Sequence, residues 1–148
     1  ANDYKTAFQR LRGGGLIEEP MFDGILSALD SLEAGGWSLG VATGKSDRGL
    51  LACLAAHGIR DRFVTLQTAD RHPSKPHPSM VHEAMADAGA NPDTTIMIGD
   101  TSFDMAMGVA AGARSLGVDW GYHDPHELEA AGAYAVADHP DQLMELMR

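Results

Sequence analysis

An α/β architecture, a Rossmann-like parallel sheet with helices on both faces, is predicted by three features of the sequence. Short apolar runs alternate with helical patterns, the runs are brief and mostly apolar as buried parallel strands should be, and the helical stretches carry readable ends. The strand candidates are residues 38–42 (SLGVA), 63–66 (FVTL), 95–98 (TIMI), 114–118 (RSLGV) and 134–137 (YAVA). Crossover helices fill the spaces between them, as parallel pairing requires.

Each helix has a local reason to start and stop. FDGILSALDSLEAGG places Ile25, Leu26, Leu29 and Leu32 on the predicted apolar face and ends at Gly35 and Gly36. Ser46 or Asp47 can cap the helix through LLACLAAHG, which Gly58 closes. Residues 78–88 and 103–111 form two more, closed by Gly89 and Gly112. In DPHELEAAG, Asp124 is the N-cap, Pro125 the first helical residue and Glu127 the capping-box partner. A last helix covers 141–147. Residues 1–12 read as an isolated helix without a packing partner, and the glycines of RGGGL (12–16) as a hinge.

With 148 residues, 44% of them hydrophobic, the chain can build one core but hardly two. The net charge of −10, from 21 acids against 11 Lys and Arg, argues against a nucleic-acid or anionic-membrane partner, because such binding needs a basic surface to displace counterions. A phosphorylated small molecule is still compatible with that charge if a metal, a lysine and backbone N–H groups concentrate positive potential in one cleft. Cys53 is the only cysteine and lies in an apolar run, which suits an inert thiol in a reducing compartment. No apolar run spans a bilayer and no basic-then-apolar leader is seen, so the expectation is a soluble, cytoplasmic protein.

In an open α/β sheet, ligands bind beyond the carboxyl ends of the strands, and three such turns are rich in functional groups. SLGVA is followed by Thr43, Gly44, Lys45 and Ser46: a hydroxyl, a glycine that lets backbone approach a ligand, and N–H groups opening a helix. A plain helix cap would look the same. Beyond FVTL, Lys75 sits in SKPHP, where two prolines stiffen the segment that presents it; surface lysines are more often simply solvated. TIMI is followed by Gly99-Asp100-Thr101-Ser102-Phe103-Asp104, with Asp100 in the turn and Asp104 in the first helical turn. Acids are favoured there by the helix dipole, and they are also the oxygen donors that magnesium takes together with water and phosphate.

Taken together, Thr43, the SKPHP lysine and the GDxxxD turn resemble the second, third and fourth motifs of the haloacid dehalogenase-like hydrolases, in order and separation. The resemblance runs from about Pro20 to the C-terminus and is best to the phosphoglycolate-phosphatase-like branch, with VDWGYHDPHEL matching that branch after its fifth strand. It implies hydrolysis of small phosphomonoesters through an aspartyl-phosphate, with Mg2+ as cofactor. By the same resemblance Thr43, with Gly44 and Lys45, would hold phosphoryl oxygens and Lys75 would neutralise nucleophile and phosphate. Asp100 would ligate the metal, and Asp104 would orient the lysine or metal waters. A phosphomutase or dehalogenase shares the scaffold, although a dehalogenase needs no magnesium and leaves the two acids unexplained.

The family's first motif, a strand ending in DxDxT or DxDxV that carries the nucleophile, is absent. In MFDGIL the acid Asp23 superficially matches the second Asp with Met21 at the nucleophile position, but GLIEEP before it is too short and acidic for a buried strand. Asp3 has no strand before it either. Residues 1–19 are therefore expected to be the remnant of a helical cap and its hinge, residues 20–148 the core domain, and the central first strand missing. The chain would be the C-terminal part of a larger phosphatase and catalytically silent alone; a non-catalytic binding or assembly module is the other reading.

Other signals carry less. His72, His77 and His82 recur every five residues, a spacing that does not share a helix face, so no zinc site is expected. Trp120 and Tyr122 are expected mainly to pack the loop after the fifth strand, and the eight methionines to fill the core.

Overall fold

A computed structural model describes residues 5–9, 24–120 and 124–147. Its centre is a six-stranded sheet, and every neighbouring pair runs parallel. The strands are β1 (Lys5–Gln9), β2 (Trp37–Ala42), β3 (Phe63–Gln67), β4 (Thr95–Gly99), β5 (Arg114–Val118) and β6 (Ala133–Ala137). Their spatial order is β3-β2-β1-β4-β5-β6, so the winding direction reverses between β1 and β4. That reversal opens a crevice beyond the strand ends, the usual ligand position in a doubly wound sheet.

The five strands expected from apolar runs are all present, and the expectation of a missing central strand is corrected. Lys5–Gln9 is a strand rather than part of a helix, and it fills the middle of the sheet. On one side Lys5 pairs with Trp37 and Gln9 with Val41; on the other, Thr6 pairs with Thr95 and Gln9 with Ile98. The physical reason is the ladder: an empty slot would leave facing N–H and C=O groups of β2 and β4 unpaired in the interior, and satisfying them outweighs weak local helix preference. Residues 5–9 thus belong to the core sheet and not to a cap. The rest of the proposed cap remnant and hinge, with Asp3, Met21 and Asp23, lies outside the described residues, as does Tyr122.

Helices α1 (Ile25–Ala34), α2 (Asp47–His57), α3 (Ser79–Ala88), α4 (Ser102–Ala110), α5 (Pro125–Ala130) and α6 (Leu143–Leu146) connect or follow the strands. Their caps match the sequence signals. Ser46 accepts from the N–H of Gly49 and Asp124 from that of Glu127; Thr101, a cap the sequence reading did not name, accepts from the N–H of Asp104. Gly58 and Gly89 close α2 and α3 in the left-handed region, at φ 67° and 65°. On α1 the buried stripe is Ile25, Leu29 and Leu32, whereas Leu26 is 46% exposed. At 100° per residue Leu26 falls a quarter-turn off that stripe, which corrects its place on the apolar face.

β4 shows how the sheet divides the core. Ile96 and Ile98 join Leu29, Leu39, Val41 and Leu54 in one cluster, while Met97 between them points the other way. There it meets Met80, Ala84 and Met107 from α3 and α4. The alternation is the period of two expected of a strand buried on both faces. The methionines Met80, Met85, Met97, Met105 and Met107 are all buried, as filler for the α3/α4 side. Trp120 packs against the α1 side of the core.

Candidate functional site

Three strand ends converge on one cleft. Thr43 follows β2 and is fully buried; its N–H donates to Gln67 O, which extends the β2–β3 pairing, and its hydroxyl accepts from Lys45 N at 3.2 Å. Gly44 lines the cleft next to it. The opening of α2 is less available to an anion than its sequence suggests. Asp47 N donates to Asp70 Oδ2 at 2.8 Å and Gly49 N to Ser46 Oγ at 3.1 Å, so these two amides already have internal oxygen partners. Lys45 is half-buried and its N–H is committed to Thr43.

Beyond β4, Asp100 and Asp104 are both fully buried. Thr101 fixes Asp104 reciprocally, accepting from its N–H at 3.2 Å and donating its own hydroxyl to Oδ2 at 3.0 Å. Gly99 is required for this arrangement, because a Cβ there would lie 2.4 Å from the Asp104 Cβ. Lys75 reaches across from the loop after β3, with its side chain only 10% exposed. It ion-pairs with Asp104 Oδ1 and donates to Ala42 O at 3.3 Å, beside Thr43. The ammonium therefore ties the end of β2 to the turn after β4 across the crevice.

Sequence reading did not anticipate what holds the Lys75 loop. Toward α2, Asp47 accepts from Thr68 Oγ1 at 2.8 Å and from Arg71 Nη1 at 2.6 Å, and Arg71 also donates to Leu66 O. The Thr68 hydrogen bond first, then Arg71, hold the Asp47 carboxyl below its ordinary value. Toward α3, Gln67 Nε2 donates to Asp87 Oδ2 at 2.9 Å, which turns its Oε1 to His72 Nε2 at 2.7 Å. His72 Nε2 then donates to this oxygen, and Nδ1 pairs with Ser79 Oγ at 2.6 Å. The only early sign of this network was the density of polar residues in QTADRH, 67–72.

Gly44, Ser74, Lys75, Thr101 and Phe103 line one cavity of about 280 Å3; Thr43, Asp100 and Asp104 are fully buried and each is next in the chain to one of these lining residues. Asp100 is a hard-oxygen donor of the kind magnesium takes, whereas both oxygens of Asp104 are engaged, Oδ1 by Lys75 and Oδ2 by Thr101; among the described residues no group of three or more His, Cys, Asp or Glu could hold a metal. Magnesium commonly uses one or two carboxylates with water and substrate phosphate rather than a cage of protein ligands. His72 and His77 serve as hydrogen-bond partners, Ser79 N donating to His77 Nδ1 at 3.1 Å. No helix among the described residues is long and apolar enough to cross a membrane.

Known proteins share this chain's sequence pattern and fold. The chain is 39% identical over 120 residues, 80% of its length and 52% of the relative's, to a probable phosphatase, IndB, of Dickeya dadantii. It is 32% identical over 143 residues, 95% of its length, to the pyrophosphatase PpaX of Bacillus velezensis, of which that covers 62%. The fold matches the crystal structure of a predicted phosphoglycolate phosphatase from Haemophilus somnus with a TM-score of 0.77 at 23% identity, covering 86% of this chain and 57% of that one. The chain therefore spans roughly half to three fifths of these relatives. The family model described as haloacid dehalogenase-like hydrolase matches residues 4–118. With that match over more than half of its length and the 39% identity to IndB, the chain belongs to the haloacid dehalogenase-like hydrolase family.

Proposed function

We propose that this chain is the phosphoryl-handling core of a magnesium-dependent, cytoplasmic phosphatase acting on small phosphomonoesters. The observation that carries the reading is the bridge from Lys75 to Asp104 and Ala42, which puts a cation beside Thr43 where the sheet opens. Phosphoryl transfer asks chiefly for positioning and for stabilisation of charge on the transferring oxygens. In this reading the Thr43 hydroxyl and the Gly44 backbone hold phosphoryl oxygens, with Lys45 at the rim, and Lys75 offsets their charge. Asp100 holds magnesium, and Asp104 keeps the ammonium aimed inward. The metal supplies Lewis-acid stabilisation when bound.

The attacking carboxylate is the missing group. The described central strand, Lys5–Gln9, carries no acid of its own to serve as nucleophile. The reading is then a chain that binds magnesium and phosphate without turnover, with the active form a longer protein whose DxDxT or DxDxV strand takes the central slot that Lys5–Gln9 fills here. The test is hydrolysis of p-nitrophenyl phosphate by both. The longer protein should be active and dependent on magnesium, and Lys75→Ala in it should lower kcat by at least about 100-fold while the thermal unfolding curve stays cooperative. Full activity without metal, or near-normal turnover by Lys75→Ala, would refute the reading. Turnover by the 148-residue chain itself would refute its silence.

A further inference from the structure

Beyond Lys75, the cavity changes character. Phe103, in the turn carrying Asp100 and Asp104, is 55% exposed and forms part of the wall; Ala69 and the buried Met80 complete the apolar part. Its polar lining residues besides Lys75 are Gly44, Ser74 and Thr101, which are neutral. Lys75 is thus the one cationic lining residue among the described ones, and it is already engaged by Asp104. Once a phosphoryl group takes up the Lys75 end, a second anionic group on the same ligand would face the aromatic surface of Phe103 with no second cationic lining residue among the described ones. That placement is unfavourable: the face of a phenyl ring is the negative part of its quadrupole, and desolvating a charge without a partner is costly. An uncharged, flat or apolar group would instead cover Phe103 and release water from it.

From this wall we infer that the core selects phosphomonoesters with an uncharged aromatic or apolar leaving group, Phe103 being the specificity-determining contact. The inference rests on the phosphoryl seat proposed above and adds a preference within it. It runs against a simple transfer of pyrophosphate from one relative or of phosphoglycolate from the resembling branch, since both ligands carry a second anion.

The test titrates the chain with phenylphosphonate, methylphosphonate and phosphonoacetate in saturating magnesium, followed by calorimetry. None of these ligands is hydrolysed, so turnover plays no part. Phenylphosphonate should bind about tenfold more tightly than methylphosphonate, the order expected for covering one aromatic side chain, and phosphonoacetate no more tightly than methylphosphonate. Phe103→Ala should remove most of the phenyl margin and leave methylphosphonate within about twofold, while Phe103→Tyr should keep the margin. A phosphonoacetate complex tighter than the phenyl one, or a margin untouched by Phe103→Ala, overturns the inference alone. Failure of methylphosphonate to bind removes the phosphoryl seat itself, and the inference with it.

Discussion

Asp100→Asn is expected to weaken magnesium binding by at least about 100-fold without loss of the fold, read by calorimetric titration of the chain with MgCl2. Substituting even an outer partner of a metal ligand commonly costs 10- to 100-fold in affinity, and Asp100 is proposed as the ligand itself. Asparagine keeps the shape and one carbonyl oxygen but removes the charge that draws in a hard cation. The fold should tolerate the change, because it relieves the interior of one of two fully buried carboxylates at this turn. Asp104→Asn should behave differently. Asp104 is held by Lys75 and Thr101, so its loss should loosen the Lys75 loop first and reduce magnesium affinity by a smaller factor. Equal, large losses of metal binding for both variants would contradict the division of roles.

The largest expected effect on stability comes from Gly108→Val. Gly108 lies on the face of α4 that rests on the sheet, and a Cβ there would meet Ser115 Oγ at 2.3 Å and Met97 Cβ at 2.8 Å. Neither atom can yield easily: Ser115 is buried with its hydroxyl on Met105 O at 2.8 Å, and Met97 Cβ belongs to a central strand. The two added branches would force α4 away from β4 and β5, at a cost of about 3 kcal/mol. Because Asp104 lies in the first turn of α4, the displacement should also move it. The measurement is urea unfolding, with a lower midpoint at unchanged slope expected; an unchanged midpoint would show that the close approach of α4 is not needed.

What could be read in the sequence follows from how local each signal is. The strands after α1, α2, α3, α4 and α5 announce themselves as apolar runs, and their boundaries agree with the structure to within one residue. Lys5–Gln9 does not, because KTAFQ is flanked and interrupted by polar residues and its strand state is imposed by the neighbours on either side. Leu26 misled for a related reason, since membership of an apolar helix face depends on angle and not on hydrophobicity alone. The meeting of Lys75 with Asp104, beside Thr43, was legible because each sits near a strand end or helix start, places the topology brings together. The supports of the Lys75 loop were not. Asp47 and Arg71 are 24 residues apart and Gln67 and Asp87 are 20 apart, and no short-range spacing encodes either contact.

The central claim is that one magnesium ion and one phosphate share the crevice between the β2 and β4 ends. Backbone amide shifts of the isotope-labelled chain, followed while MgCl2 and then inorganic phosphate are added, test it most directly. Magnesium should move the amides of 99–104 first, and phosphate should then move those of 43–45 and 74–75, saturating only when the metal is present. Phosphate shifts that are independent of magnesium, or that gather at residues remote from these three turns, would contradict it.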